Sequence, residues 1–171
     1  AENISSTIID LPGTYSLYPK RADEWVAYKV LLMQDLDIKP DMVLLVADAS
    51  NLKRNLLFCS QIIDLKIPVV VVLTMTDLAN KKGTQIDTGG LEIELGVPVV
   101  AKKERKNKGI PQLKKAIEQS LSSGFPIPRS FINNLELAEK PVEEVKDLFP
   151  GISNYKAQNF LINHRQLQFP D

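Results

Sequence analysis

Two short stretches place residue types where they could do chemistry. In "STIIDLPGTYSL" (6–17) an aliphatic run ends in an acid, and a proline and a glycine follow at once. Asp10-Leu11-Pro12-Gly13 fits the pattern D-x-x-G. A carboxylate at a strand tip can hold Mg²⁺, usually through a water. A glycine three residues on lets its N–H approach a γ-phosphate with no side chain in the way. The competing reading is a strand-ending turn, and the tetrapeptide alone favours it. The second stretch, Thr74-Met75-Thr76-Asp77, resembles N/T-K-x-D. Guanine offers donors at N1 and its 2-amino group, and one carboxylate can accept both. Adenine has an acceptor and a bare C–H there, so Asp77 would select guanine over adenine. Each charge-assisted bond of this kind contributes about 1.5–3 kcal/mol. Met75 stands where lysine is usual, and a thioether chain can still lie along a base. The competing reading is that Asp77 caps the next helical turn.

Both stretches need elements to position them. The chain repeats one unit four times: an aliphatic run, a polar tip, a helical stretch. The runs are "STIID" (6–10), "DMVLLVAD" (41–48), "PVVVVLT" (68–74) and "PVVA" (98–101). The helical stretches fall at 23–34, with Asp23 as N-cap, at 51–65, near 88–95 and at about 109–122. Aliphatic runs without alternation predict strands buried on both faces. Alternation with helices predicts a parallel α/β sheet built by right-handed crossovers. Ligands bind such sheets beyond the carboxyl ends of the strands. Asp10, Asp48, Thr74–Asp77 and Lys102–Arg105 fall at those ends. Two complete βα units separate Asp10 from Asp77, which would put both acids on one rim and raises the nucleotide reading above the bland ones.

Beyond Ser123, "GFPIPRSF" (124–131) reads as a linker. Residues 133–149 and 154–167 are helical in pattern and broken at Pro150-Gly151. The expected division is a 1–123 nucleotide-binding unit and a 124–171 linker with the start of a helical domain, cut short.

Composition narrows the classes. The 171 residues are 44% hydrophobic and 25% charged, enough for a real core. Lys+Arg and Asp+Glu each count 21, which argues against a general nucleic-acid binder. One cysteine, Cys59, and one histidine, His164, allow neither an internal disulfide nor a Cys/His zinc site. "IPVVVVLTM" (67–75) is far short of the roughly 20 apolar residues of a membrane span, so this stretch of chain is expected to be soluble.

"DLPGTYSLYP", "DEWVAYKVLL", "ADASNLKRNLLF", "LKIPVVVVLTMTDLANKKG" and "LGVPVV…RKNKGI" resemble, in that order, the cytoplasmic GTPase domain of the bacterial ferrous-iron transporter FeoB family. The resemblance covers about residues 5 to 120. It implies a P-loop-NTPase-like, Ras-like parallel sheet with flanking helices, followed by a helical domain leading to a membrane channel domain at the cytoplasmic face of the inner membrane. It implies GTP or GDP with Mg²⁺ as ligand and Fe²⁺ as cargo of the full transporter. Asp10 would be the Mg²⁺-side acid, Leu11, Pro12 and Gly13 the γ-phosphate turn, and the loop after Gly13 a switch. Thr74, Met75, Thr76 and Asp77 would frame the guanine. Lys103, Glu104 and Arg105 fall where the family carries a fifth, base-side motif.

The sequence departs from the pattern in four ways. No G-x-x-x-x-G-K-[ST] occurs, since none of the eight glycines precedes a lysine. The phosphate cradle and the first switch threonine are expected upstream of residue 1. Lys102, Lys103, Glu104 and Arg105 replace the usual small residues. Thr74 replaces the more usual asparagine. Thr14 replaces the glutamine that orients water in Ras-like enzymes. Weak nucleotide binding and an inactive fragment are therefore expected, with an unpaired sheet edge that invites dimerisation. The alternatives are a soluble GTPase of ribosome or tRNA maturation, and a non-catalytic interaction fragment. Elsewhere the bland readings stand: Asp48 as a turn and cap residue, Cys59 as a small buried hydrophobe, Trp25 and Tyr28 as packing, Lys102–Lys108 as a solvated loop, and His164 with no role.

Overall fold

A computed structural model describes residues 6–33, 40–101, 109–123, 130–132 and 135–166. Three aliphatic runs form strands β1 (Val43–Asp48), β2 (Val69–Thr74) and β3 (Val99–Ala101). They make a parallel sheet in the order β1-β2-β3. Helix α2 (Leu52–Asp64) joins β1 to β2, and α3 (Thr76–Lys81) and α4 (Thr88–Leu95) join β2 to β3. Helix α5 (Ile110–Ser123) follows. Parallel neighbours need such crossovers, because no hairpin turn can join them. Register then decides which strand ends are neighbours. Asp48 lies opposite Thr74, and Leu73 opposite Ala101, so the strands end within a residue of one another.

Burial separates the strands. Val69 to Leu73 of β2 are all buried, as both faces of a central strand should be. In β1, Leu45 and Ala47 are buried but Leu44 and Val46 are 38% and 66% exposed. The expectation of two buried faces therefore fails for β1. It is an edge strand among the described residues, with α2 packed on one side of it.

The first aliphatic run is a second correction. Residues 6–10 form no strand: their backbone is irregular, and Ile8 and Ile9 are 83% and 50% exposed. β-branched residues favour extension, but a strand is held by ladder bonds to a neighbour, and none of the described residues supplies them. Asp10 therefore does not share a sheet with Asp77 here.

Helix α1 (Ala22–Tyr28) runs into a π-helical turn, Lys29–Met33. Its start differs from the expected cap at Asp23. Glu24 Oε2 accepts the N–H groups of Lys20 (2.8 Å) and Arg21 (3.3 Å), closing the first turn from within.

The C-terminal residues form α6 (Leu135–Leu148) and α7 (Asn154–Asn163), packed on each other. Pro141 lies inside α6, and the backbone is non-helical at Ala138, as a proline ring forces near the preceding turn. Gly151, at φ 86°, makes the left-handed turn between the helices.

Buried polar contacts attach this pair to the sheet layer. The Asp64 carboxylate, at the end of α2, accepts the N–H groups of Phe131 (3.0 Å) and Ile132 (2.6 Å) and faces Lys66 Nζ at 3.7 Å. Ser153 Oγ donates to the Asp64 carbonyl at 2.7 Å. Tyr28 Oη donates to the Asn159 carbonyl (3.2 Å) and accepts from Asn163 Nδ2 (2.8 Å). Tyr28 is thus more than a packing residue, and burial pushes its phenol up to about 12.

Candidate functional site

The β2 end is built by the backbone. Thr74 Oγ1 donates to the Ala47 carbonyl at 3.3 Å, tying the tip of β2 to that of β1. Met75 then takes a left-handed conformation, φ 54° and ψ 29°. For a residue with a Cβ this costs roughly 1–2 kcal/mol. The turn stops the strand in one residue and starts α3 at Thr76, with the Ala79 N–H donating to the Met75 carbonyl at 3.0 Å. Asp77 falls in the first turn of α3 with its side chain exposed, and the N-cap position is taken by Met75. The exposed thioether of Met75 stands beside it in the chain. The β1 tip borders this end. Asp48 Oδ1 accepts the Ser50 N–H at 2.8 Å, and Asn55 Nδ2 donates to the carbonyls of Asp48 (3.3 Å) and Asn51 (2.9 Å). The turn Ala49–Asn51 packs on α3. Asp48 thus has the turn-and-cap role its position suggests.

The Asp10 end is built by side chains. Asp10 and Gly13 are exposed, and a Cβ placed on Gly13 would meet nothing within 4 Å. The packing of this chain therefore does not demand a glycine there. Leu11 packs against the core. Thr14 Oγ1 donates to the Ser16 carbonyl at 2.9 Å, so its hydroxyl is engaged in the loop's own turn. The Arg54 guanidinium lies 3.9 Å above the Tyr15 ring centroid. The Leu17 N–H donates to Gln61 Oε1 at 2.9 Å, and both residues are buried. An open hollow of about 550 Å³ lies between this loop and the start of α2, lined by Tyr15, Ser16, Asn51, Lys53, Arg54 and Leu57.

Thr74, Met75, Thr76 and Asp77 are thus brought together, with Asp48 beside them. Asp10, Leu11, Pro12 and Gly13 form a second group, with Leu11 against the core and the loop beyond them joined to α2 at Tyr15 and Leu17. Lys103, Glu104 and Arg105 lie outside the described residues. Among the described residues no group of three or more His, Cys, Asp or Glu is placed to hold a metal ion. Asp10 offers one free carboxylate, which fits an ion whose other ligands come from water and phosphate. Cys59 is fully buried, and burial pushes its thiol up to about 11, which leaves it unreactive at neutral pH. Gln61 and Asp64 were missed in the sequence. Their signal was a polar side chain inside the apolar stretch "LLFCSQIIDL".

The parallel sheet with flanking helices matches the α/β fold of G domains. The family described as Ferrous iron transport protein B matches residues 1–117, and the chain belongs to it. The Fe(2+) transporter FeoB of Leptospira biflexa is 40% identical over 120 residues, covering 70% of this chain and 17% of that protein. The Fe(2+) transporter FeoB of Salmonella typhimurium is 41% identical over 117 residues, covering 66% and 15%. The chain therefore spans less than a fifth of the length of these relatives. The solved cytosolic domain of L. pneumophila FeoB superposes with a TM-score of 0.71 at 31% identity, covering 92% of this chain and 64% of that one. The mGMPPNP-bound NFeoB of S. thermophilus gives 0.68 at 36% identity, covering 91% and 56%. Among the described residues no helix is long and apolar enough to cross a membrane.

Proposed function

We propose that this chain forms the base-reading part of a GTP-binding switch domain that serves a ferrous-iron transporter at the cytoplasmic face of the membrane. The observation that carries the reading is the left-handed Met75, which ends β2 abruptly and leaves the Asp77 carboxylate exposed in the first turn of α3. Backbone strain of this kind persists where the surroundings over-determine it, and functional sites are where it concentrates. Thr74, Met75 and Thr76 frame the base. Asp10 would hold Mg²⁺ through water, and Gly13 would lie beside the γ-phosphate. Lys103, Glu104 and Arg105 complete the base side. The ion would screen the phosphate charge. Residues 1–123 act as the nucleotide unit and 124–171 as the start of a helical domain, which joins it to the membrane channel domain. GTP hydrolysis belongs to the whole transporter. No G-x-x-x-x-G-K-[ST] occurs within these 171 residues, and by themselves they bind nucleotide weakly and are inactive.

Calorimetric titration with GDP, GTP and ATP in Mg²⁺ buffer tests the reading. The expected result is weak, guanine-selective binding. Asp77→Asn should shift preference toward xanthine nucleotides, because xanthine carries a carbonyl where guanine carries its 2-amino group. Equal binding of ATP and GTP, or an Asp77→Asn chain with unaltered preference, would refute it.

Self-association is part of the proposal. The outer edge of β1, with exposed Leu44 and Val46 and no charge from Val43 to Ala47, lacks the usual protection against pairing with a second copy. Sedimentation should show a concentration-dependent dimer that Val46→Lys abolishes. A monomer at all concentrations would remove this part alone.

A further inference from the structure

With no strand ladder at residues 6–10, the Asp10–Gly13 segment must be positioned by something else. One face of α2 holds the loop that continues it, at Tyr15 and Leu17. Arg54 and Gln61 are two helical turns apart and so point the same way. Arg54 covers Tyr15, and Gln61 Oε1 receives the Leu17 N–H. Of these contacts the second is the buried one, with Leu17 at 1% and Gln61 at 3% exposure. It joins residues 44 apart in sequence. A buried amide side chain is costly unless it is bonded, so the amide of Gln61, buried on α2, needs a partner. One turn further along, Asp64 receives the Phe131 and Ile132 N–H groups. The same helix therefore holds both the loop and the approach to the helical pair.

We propose that Gln61 is a positioning residue for the metal- and phosphate-side segment Asp10–Gly13, acting through the Leu17 N–H. This deepens the nucleotide reading above and rests on it for the segment's ligand. Removing the acceptor leaves the Leu17 N–H buried and unpaired, which frees the loop while the strand ladders of β2 stay intact.

Hydrogen-exchange measurements on the 171-residue chain test it, using Gln61→Met, which keeps the length and loses the acceptor, and Gln61→Glu, which keeps an acceptor oxygen. In the unaltered chain the Leu17 amide should exchange as slowly as the amides of β2. Gln61→Met should speed exchange across 11–18 by about tenfold or more and leave 69–82 unchanged. Gln61→Glu should restore most of the protection. In Mg²⁺ buffer, Gln61→Met should weaken binding of a non-hydrolysable GTP analogue more than that of GDP. The proposal fails if 11–18 exchanges at the same rate in Gln61→Met, if 69–82 speeds up equally, if Gln61→Glu rescues nothing, or if both nucleotides weaken alike. Should the unaltered chain bind neither nucleotide, the nucleotide reading is what falls. The exchange rates still decide whether Gln61 positions the segment.

Discussion

The two ends of the candidate site are built from different materials. Thr74–Asp77 stands on a strand whose neighbours on both sides are in register, and a single strained residue turns it outward. Asp10–Gly13 has no ladder, and the loop that continues it is held by a few side-chain contacts from α2 at Tyr15 and Leu17. Ladder bonds and two buried faces cooperate, so the base-reading end can move only if the sheet opens. The other end can move by breaking contacts one at a time. A base contact that is the same in every nucleotide state suits the first construction, and a segment that answers to a γ-phosphate suits the second.

Three substitutions probe this difference, in falling order of effect. Leu73→Ala, in the fully buried β2, should lower global stability by about 2–5 kcal/mol, seen as a shift in the denaturant midpoint. Exchange should then rise at both ends together. A rise confined to 11–18 would show that the loop, and not the sheet, depends on β2. Gln61→Met comes next, because it removes one buried bond and acts on one end only. Arg54→Ala is the smallest. Losing an exposed cation–π contact should cost about 0.5–1 kcal/mol, read as faster exchange near Tyr15 with little change in the denaturant midpoint. If it loosened 69–82 as well, the contrast between the two ends would be wrong.

The helical pair repeats the contrast on a smaller scale. The Asp64 carboxylate is fully engaged by backbone donors and Lys66. The Tyr28 seam is less complete: Tyr155 Oη and Asn159 Oδ1 are buried with no partner among the described residues. Neither contact follows from spacing, because each joins residues distant in sequence. An acid in "IIDLKIPVV" reads as a helix-end residue until a second segment is seen to bring its N–H groups to it.

Much of the architecture was legible beforehand. Aliphatic runs at 41–48, 68–74 and 98–101 became strands, and the helical periodicities became α2 and α4 to α6 within a residue or two, while α1 passes into a π-helical turn after Tyr28, α7 ends at Asn163, and Asp77 falls in the first turn of α3 just beyond β2. These are local properties, set by side-chain shape, periodicity and turn chemistry, and neighbours in sequence are enough to determine them. What the tertiary structure decided was non-local. The run at 6–10 has the composition of a strand but no ladder partner among the described residues. The run at 43–48 matches its neighbour in composition but lies at the edge, so half of it faces outward. Met75 is left-handed although its residue type resists it. Gln61, Asp64 and Tyr28 acquired roles only when distant backbone groups were folded against them. Hydrogen-bond partners and burial are properties of the assembled layers, and no window of sequence contains both members of such a pair.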